Sequence, residues 1–321
     1  MDTRGSVEVP KAPTWSFAAH AFPSEVLQKV KLLEIRTRKL VNNLFSGEYH
    51  TVFKGQGMTF SDFREYVPGD DIRAISWTLT ARAGKPFIKK FDEERELTVF
   101  IVVDISRSTD FGSNELLKGE AMTHLAALVA FSAVRNKDQV GLLLFSDIIE
   151  HFVPAKKGRG HTQRLLRDLY YFKPRGKKTR IAQAANHLLG VLKKRSVIFF
   201  MSDFIDSEFS AEPLKAATWA ESLRLLGRKH DVVAVVVRDR AELELPDVGL
   251  VEIQDPETDE VLTIDTSSRA FRESYAAELR RRRDLRDRLL RQAQVDRVEV
   301  DSAGSYVNPL VQFFERRRGR S

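Results

Sequence analysis

Cysteine is absent from all 321 residues of this chain. That absence excludes disulfides, iron–sulfur clusters, thiolate zinc sites and cysteine nucleophiles, and it favours a reducing compartment. Long apolar runs are also missing: none approaches the ~18 residues of a membrane-crossing helix. The N-terminus lacks the basic-then-apolar pattern of a signal peptide. The expectation is a cytoplasmic protein, associated with membranes at most peripherally. Phosphate-cradling glycine motifs are missing too, with no G-x-x-x-x-G-K-[ST] and no G-x-G-x-x-G after a strand. Gly55-Gln56-Gly57 and Gly158-Arg159-Gly160 read as turns, so direct ATP binding is not expected. The seven histidines are scattered, with no H-E-x-x-H and no pair at ligand spacing.

What is present suits a globular protein with a full-sized core: 42% hydrophobic and 30% charged residues. Basic side chains number 52 against 45 acidic ones, a net charge of +7. The surplus gathers in Arg280–Arg283 and Arg316–Arg318. An excess of this size permits an acidic partner or nucleic acid without establishing either.

Along the chain, residues 1–22 read as a flexible arm without apolar periodicity. Ser24 can cap a helix carrying Val26, Val30, Leu33, Leu40 and Leu44. Residues 47–95 are glycine-punctuated and rich in Phe, Arg and Asp. They predict a small irregular subdomain of short strands and turns, which completes a unit spanning 23–95. Its arginines (Arg64, Arg73, Arg82, Arg95) alternate with acids, and Trp77 and Phe87 are candidate anchors to the main domain.

From 96 to 304 the pattern is regular. Apolar runs at 97–104, 140–145, 197–201 and 232–237 alternate with helical stretches near 114–135, 161–172, 180–194 and 211–228. Short apolar runs without alternation, separated by helices, predict a doubly wound, mostly parallel α/β sheet of Rossmann-like type. The run at 148–153 follows Ser146-Asp147 so closely that it predicts an antiparallel edge hairpin. A second hairpin is expected around Asp255-Pro256, then an arginine-rich helix over 269–293 and a short strand at 298–300. Residues 305–321 read as a basic C-terminal tail, in which Phe313-Phe314 is an apolar anchor that docks the run Arg316–Arg318.

Ligands of doubly wound sheets bind beyond the carboxyl ends of the strands. There the first core strand ends in Asp104-Ile105-Ser106-Arg107-Ser108, and a later one in Met201-Ser202-Asp203. An oxygen-only set of two carboxylates and nearby hydroxyls suits Mg²⁺ or Mn²⁺, held weakly with several waters. Asp and Ser also cap helices after strands for structural reasons.

The D-x-S-x-S loop after a buried strand resembles the metal-ion-dependent adhesion site of von Willebrand factor A domains. That resemblance implies metal ligation by Asp104, Ser106, Ser108, a threonine and Asp203. The threonine is Thr179, just before a helix, with Thr162 as the alternative. Phe204 stands where many such domains have glycine. Residues 55–95, from Gly-Gln-Gly-Met-Thr-Phe-Ser-Asp-Phe-Arg-Glu-Tyr to Phe-Asp-Glu-Glu-Arg, are similar to the signature of the bacterial "domain of unknown function 58" family. With D-x-S-x-S, Gly158-Arg159-Gly160 and Met201-Ser202-Asp203-Phe204, the likeness covers most of 45–240. It implies a soluble branch of that family, which is typically encoded beside MoxR-type AAA+ ATPases and thought to act as their adaptor.

The expected function is therefore a metal-dependent protein-binding adaptor, not an enzyme, with an exposed crevice where the metal accepts a partner's carboxylate. Two alternatives stand. A haloacid-dehalogenase-type phosphatase would use Asp104 as nucleophile, with Asp203 and Asp206 on Mg²⁺, but it needs an acid where Ser106 stands. Nucleic-acid binding through the arginine-rich helix lacks interleaved aromatics for base stacking.

Overall fold

The computed structural model describes residues 58–93, 96–110, 117–206, 213–239, 247–254, 261–302 and 307–318. The arm and the helix expected after Ser24 lie outside these residues. The described chain begins with a two-stranded antiparallel sheet, β1 (Met58–Glu65) and β2 (Phe87–Glu93), with a short helix α1 (Trp77–Ala83) between them. Arg64 and Asp70 pair through two hydrogen bonds of 2.8 and 2.7 Å, which fastens the turn after β1. Trp77 does not anchor this subdomain as expected: it is 67% exposed. It is the first residue of α1, a helix that buries none of its residues.

The main sheet has six strands: β3 (Thr98–Asp104), β4 (Gln139–Phe145), β5 (Ile149–Lys156), β6 (Val197–Ser202), β7 (Asp231–Arg238) and, after a separate antiparallel hairpin of β8 (Leu250–Gln254) and β9 (Val261–Asp265), β10 (Asp296–Asp301). Their order is β10-β7-β6-β3-β4-β5. Every pair is parallel except β4 with β5, the edge hairpin turning through Ser146-Asp147. The doubly wound α/β architecture expected from the sequence is the one observed.

The apolar runs are uninterrupted because both faces of the sheet are covered. Val99, Ile101 and Val103 of β3 join a core with α2 (Lys118–Arg135), α3 (Arg159–Tyr171) and α7 (Val307–Arg318). Phe100 and Val102 face the other way, towards α4 (Ile181–Val191), α5 (Pro213–Lys229) and α6 (Arg269–Ala293).

Residues 305–321, read from the sequence as a basic tail, include α7. Leu310, Phe313 and Phe314 of that helix are buried in the core. Burying side chains of this kind contributes roughly 1.5–3 kcal/mol each, which holds the segment down. Arg317 turns its charge inward, onto Asp231 and Asp296. Phe313-Phe314 is the anchor expected from the sequence; the basic run masked Leu310, which completes an i, i+3, i+4 stripe on a helix.

Candidate functional site

In the order β10-β7-β6-β3-β4-β5 the winding reverses between β3 and β6. At such a switch point the following loops diverge and leave a crevice at the strand ends. Asp104 is the last residue of β3, and Ser202-Asp203 closes β6.

Asp104 is fully buried. Its Oδ1 accepts the Ser106 N–H at 3.0 Å, and its Oδ2 accepts the hydroxyls of Ser202 at 2.7 Å and Thr179 at 3.3 Å. The Thr179 Oγ1 also lies 2.8 Å from Ser106 Oγ, which in turn is 3.0 Å from Ser108 Oγ. Oxygens of Asp104, Ser106, Ser108 and Thr179 thus form one contiguous cluster drawn from two loops. Thr162, the alternative threonine, is buried in α3, and its hydroxyl finds no hydrogen-bond partner among the described residues.

Asp203 adjoins this cluster but is engaged differently. Its Oδ1 accepts the Ile205 N–H at 3.0 Å, and its Oδ2 accepts from Lys118 Nζ at 3.0 Å in an ion pair buried on both sides. Its carbonyl accepts from the guanidinium of Arg286, also buried, at 3.4 Å. Sequence reasoning missed both cations, although each carries a positional signal. Lys118 heads the stripe Ala121, Met122, Leu125 on α2, and Arg286 heads Leu289, Leu290, Ala293 on α6, all buried. A charge at the head of an i, i+3, i+4, i+7 apolar stripe is buried with it and needs a partner.

Phe204 adopts φ +56°, the left-handed region that favours glycine. Here the strain is offset by burial: the ring is inaccessible and packs against Phe200 and Trp219, with centroids 5.6 and 6.1 Å away. The residue that departs from the glycine pattern therefore keeps the backbone turn and adds a core contact.

Asp206 does not join the cluster through the oxygen that is seen bonded. Its buried Oδ2 accepts the Ile181 N–H at 2.9 Å, at the N-terminus of α4. The exposed crevice expected from the sequence is not observed either. Asp104, Ser106, Thr179 and Asp203 are all at most 2% exposed, and only Ser108 is half-buried. The hydroxyls and carboxylates close on one another, and Lys118 fills the space beside Asp203.

The donor set fits a small hard cation. Ligand oxygens around octahedral Mg²⁺ are separated by about 3.0 Å, given bonds of about 2.1 Å. The cluster's own separations, 2.8, 3.0 and 3.3 Å, are those of the hydrogen bonds that now hold it together, and they lie near that spacing. Charge points the same way. Among the described residues Asp104 has no ion-pair partner, whereas Asp203 has Lys118. Burial, and next the charge of Asp203, push the Asp104 carboxyl up to about 6. A buried carboxylate beside a second one, without a cation of its own, is an environment that a divalent ion would neutralise.

The whole defines a class: a doubly wound α/β domain with a hydroxyl–carboxylate site at its switch point. A family model described as "Protein of unknown function DUF58" matches residues 62–285, and the chain belongs to that family. An uncharacterized protein of Mycobacterium tuberculosis is 28% identical over 293 residues, covering 90% of this chain and 89% of that protein. Another, from Mycobacterium avium, is 28% identical over 170 residues, or 52% of this chain and 94% of that protein. Among solved structures, BatB from Bacteroides thetaiotaomicron aligns at 16% identity and a TM-score of 0.41, over 70% of this chain and 100% of that one. The VWA domain of SpRpn10 aligns at 11% identity and a TM-score of 0.38, over 67% and 94%. Among the described residues no helix is long and apolar enough to cross a membrane.

Proposed function

We propose that this protein is a metal-dependent protein-binding adaptor working with a MoxR-type AAA+ ATPase in assembling or remodelling a client complex. The observation that carries the reading is the convergence of Asp104, Ser106, Ser108 and Thr179 around a buried charge that no described cation neutralises. Asp104, Ser106, Ser108 and Thr179 would hold Mg²⁺ or Mn²⁺, with Asp203 beside them. The bound ion would supply a positive centre able to accept a carboxylate from the partner. Ser106 and Thr179 orient their oxygens through each other, and Ser202 holds Asp104 in place.

Phosphatase chemistry is the weaker reading. Its proton donor would sit at position 106, where a serine hydroxyl cannot give up a proton near neutral pH. The Asp206 it needs on the metal has its Oδ2 at the start of α4.

The test is capture of the purified ATPase by the full chain, with Mg²⁺ or with EDTA. Capture should require the metal and fall with Asp104→Ala, Ser106→Ala or Asp203→Ala, least for the serine, which brings no formal charge. Capture indifferent to EDTA, together with phosphate-ester hydrolysis abolished by Asp104→Asn, would overturn the adaptor reading in favour of an enzyme.

A further inference from the structure

The loop that delivers Thr179 to the site runs from the end of α3 to the start of α4, and its composition is extreme. In Phe172-Lys173-Pro174-Arg175-Gly176-Lys177-Lys178-Thr179-Arg180 there are five cations and no acid. Lys173, Arg175, Lys177, Lys178 and Arg180 are all exposed, although Thr179 among them is fully buried.

A loop of this charge density would ordinarily spread in solvent. This one is pinned by its backbone to the turn between β4 and β5 and to the start of β5. Buried Glu150 gathers three donors on one oxygen: the Arg175 N–H at 2.9 Å, the Gly176 N–H at 2.7 Å and the Ser146 hydroxyl at 2.8 Å. The Lys178 N–H reaches Asp147 at 3.3 Å, and the Arg180 N–H reaches the Ser146 carbonyl at 3.1 Å. The Lys177 carbonyl accepts from the Arg107 N–H at 3.2 Å, which ties the loop to D-x-S-x-S. Gly176 is required by this closeness: a Cβ there would fall 2.1 Å from Ser146 Oγ and 2.2 Å from Asp147 Oδ1. The backbone is therefore satisfied from below, and the cations project from a fixed frame.

Among the described residues Lys173, Arg175, Lys178 and Arg180 show no ion pair. The arginine-rich α6 that dominates the sequence is different. Its arginines are interleaved with acids, and Arg281 and Arg282 are both tied to Glu278, Arg286 to Asp287. Arg180 also borders an open cavity of about 520 Å³ lined by Gln183, Asn186 and His187 of α4 and by the acid Asp206, so an acidic segment would lie along the cationic rim rather than in this cavity.

We infer that residues 173–180 form a preorganised rim that reads an acidic segment of the protein partner, so that the partner presents a run of Glu and Asp rather than one isolated carboxylate. The inference rests on the adaptor reading above and adds to it the chemistry of the partner. A frame fixed in advance spares the ordering of the loop on binding. Charge complementarity at a rim also steers encounter, with an effect that salt screens.

The experiment uses the full chain and a fluorescein-labelled decaglutamate peptide, read by anisotropy at low and high NaCl, with Mg²⁺ or EDTA. The triple variant Lys173→Glu, Arg175→Glu, Lys178→Glu changes exposed side chains and leaves the pinning backbone bonds intact. Each exposed ion pair shifts an equilibrium by roughly 1.5- to 5-fold. The triple reversal is therefore expected to weaken peptide binding at least ~10-fold at low salt and to flatten its salt dependence. Arg280→Glu, Arg288→Glu, Arg291→Glu on the exposed side of α6 should stay within ~2-fold of wild type. Peptide binding that the loop reversal leaves unchanged overturns the inference. So does a twenty-residue oligothymidylate bound more tightly than the peptide and lost with the same reversal, since the rim would then serve nucleic acid. Loop-dependent peptide binding that is equal in Mg²⁺ and EDTA supports the rim while removing the metal from the adaptor reading, so the two failures are distinct.

Discussion

Replacing Asp104 by Asn should stabilise the metal-free protein at neutral pH and destabilise it in acid. The carboxyl is fully buried and pushed up to about 6 by burial and by Asp203. A carboxyl ordinarily titrating near 3.9 and raised by about two units is penalised by roughly 3 kcal/mol once ionised, at 1.36 kcal/mol per unit. The sign follows from proton binding. Between the unfolded and folded values the folded state holds the proton more tightly, so stability is lost as pH rises from about 4 to about 6 and stays lost above. Asn carries no such penalty. It keeps an acceptor for the Ser106 N–H but loses the oxygen that accepts from Ser202 and Thr179, a cost of about 1–2 kcal/mol. The difference leaves Asp104→Asn more stable by about 1–2 kcal/mol at pH 7.5, or a few degrees in Tm. At pH 4 only the hydrogen-bond loss remains, and the variant should melt below wild type. Thermal unfolding in EDTA at the two pH values reads the crossover directly. A variant less stable than wild type at both would show that Asp104 is neutralised in the fold, and the reason for expecting a cation there would be gone.

Two further outcomes follow from buried charges. Lys118→Met strands Asp203 and should cost about 3–5 kcal/mol in EDTA; it should also raise Mg²⁺ affinity about tenfold or more by calorimetry, because the resident ammonium no longer competes for the Asp203 carboxylate, whereas equal affinity would show Lys118 and the metal site to be independent. Asp138, buried where α2 turns into β4, accepts the Leu97 N–H at 2.8 Å through one oxygen while the other finds no partner among the described residues, and burial pushes its carboxyl up to about 7. Asp138→Asn keeps that bond, so it should raise Tm most at pH 8, less at pH 5 and hardly at all near pH 3.5, below the unfolded carboxyl's own titration; a loss at pH 8 would mean the charge is compensated.

The sheet was legible because parallel strands covered on both faces leave a one-dimensional trace: short apolar runs with helices between them. The Ser146-Asp147 hairpin was legible for the same reason, since two residues leave no length for a crossover helix. Where two signals overlapped, the wrong one dominated. In Val307–Arg318 Phe313-Phe314 was legible as an anchor, but the basic run Arg316–Arg318 outweighed Leu310 and hid the helix. Trp77 was taken as an anchor to the main domain by residue type alone, but an aromatic has no reason to be buried when the element under it buries nothing.

The site divides along the same line. Asp104, Ser106, Ser108 and Asp203 follow from position, since residues ending neighbouring parallel strands must meet. Thr179 could not be separated from Thr162 by sequence, because both open helices; what separates them is the Glu150 clamp, which acts across 25 and 26 residues of chain. Lys118 and Arg286 were hidden by distance as well, 85 and 83 residues from Asp203. Yet each stands at the head of an apolar stripe, where a long cationic chain is either released to solvent or buried against an anion. The stripe decides which helix face turns inward, and a lysine on that face obliges some carboxylate to meet it. The strand-end aspartates were the available carboxylates. Of the two, Asp203 met the lysine and Asp104 did not, and that asymmetry concentrates the uncompensated charge on the residue that begins D-x-S-x-S.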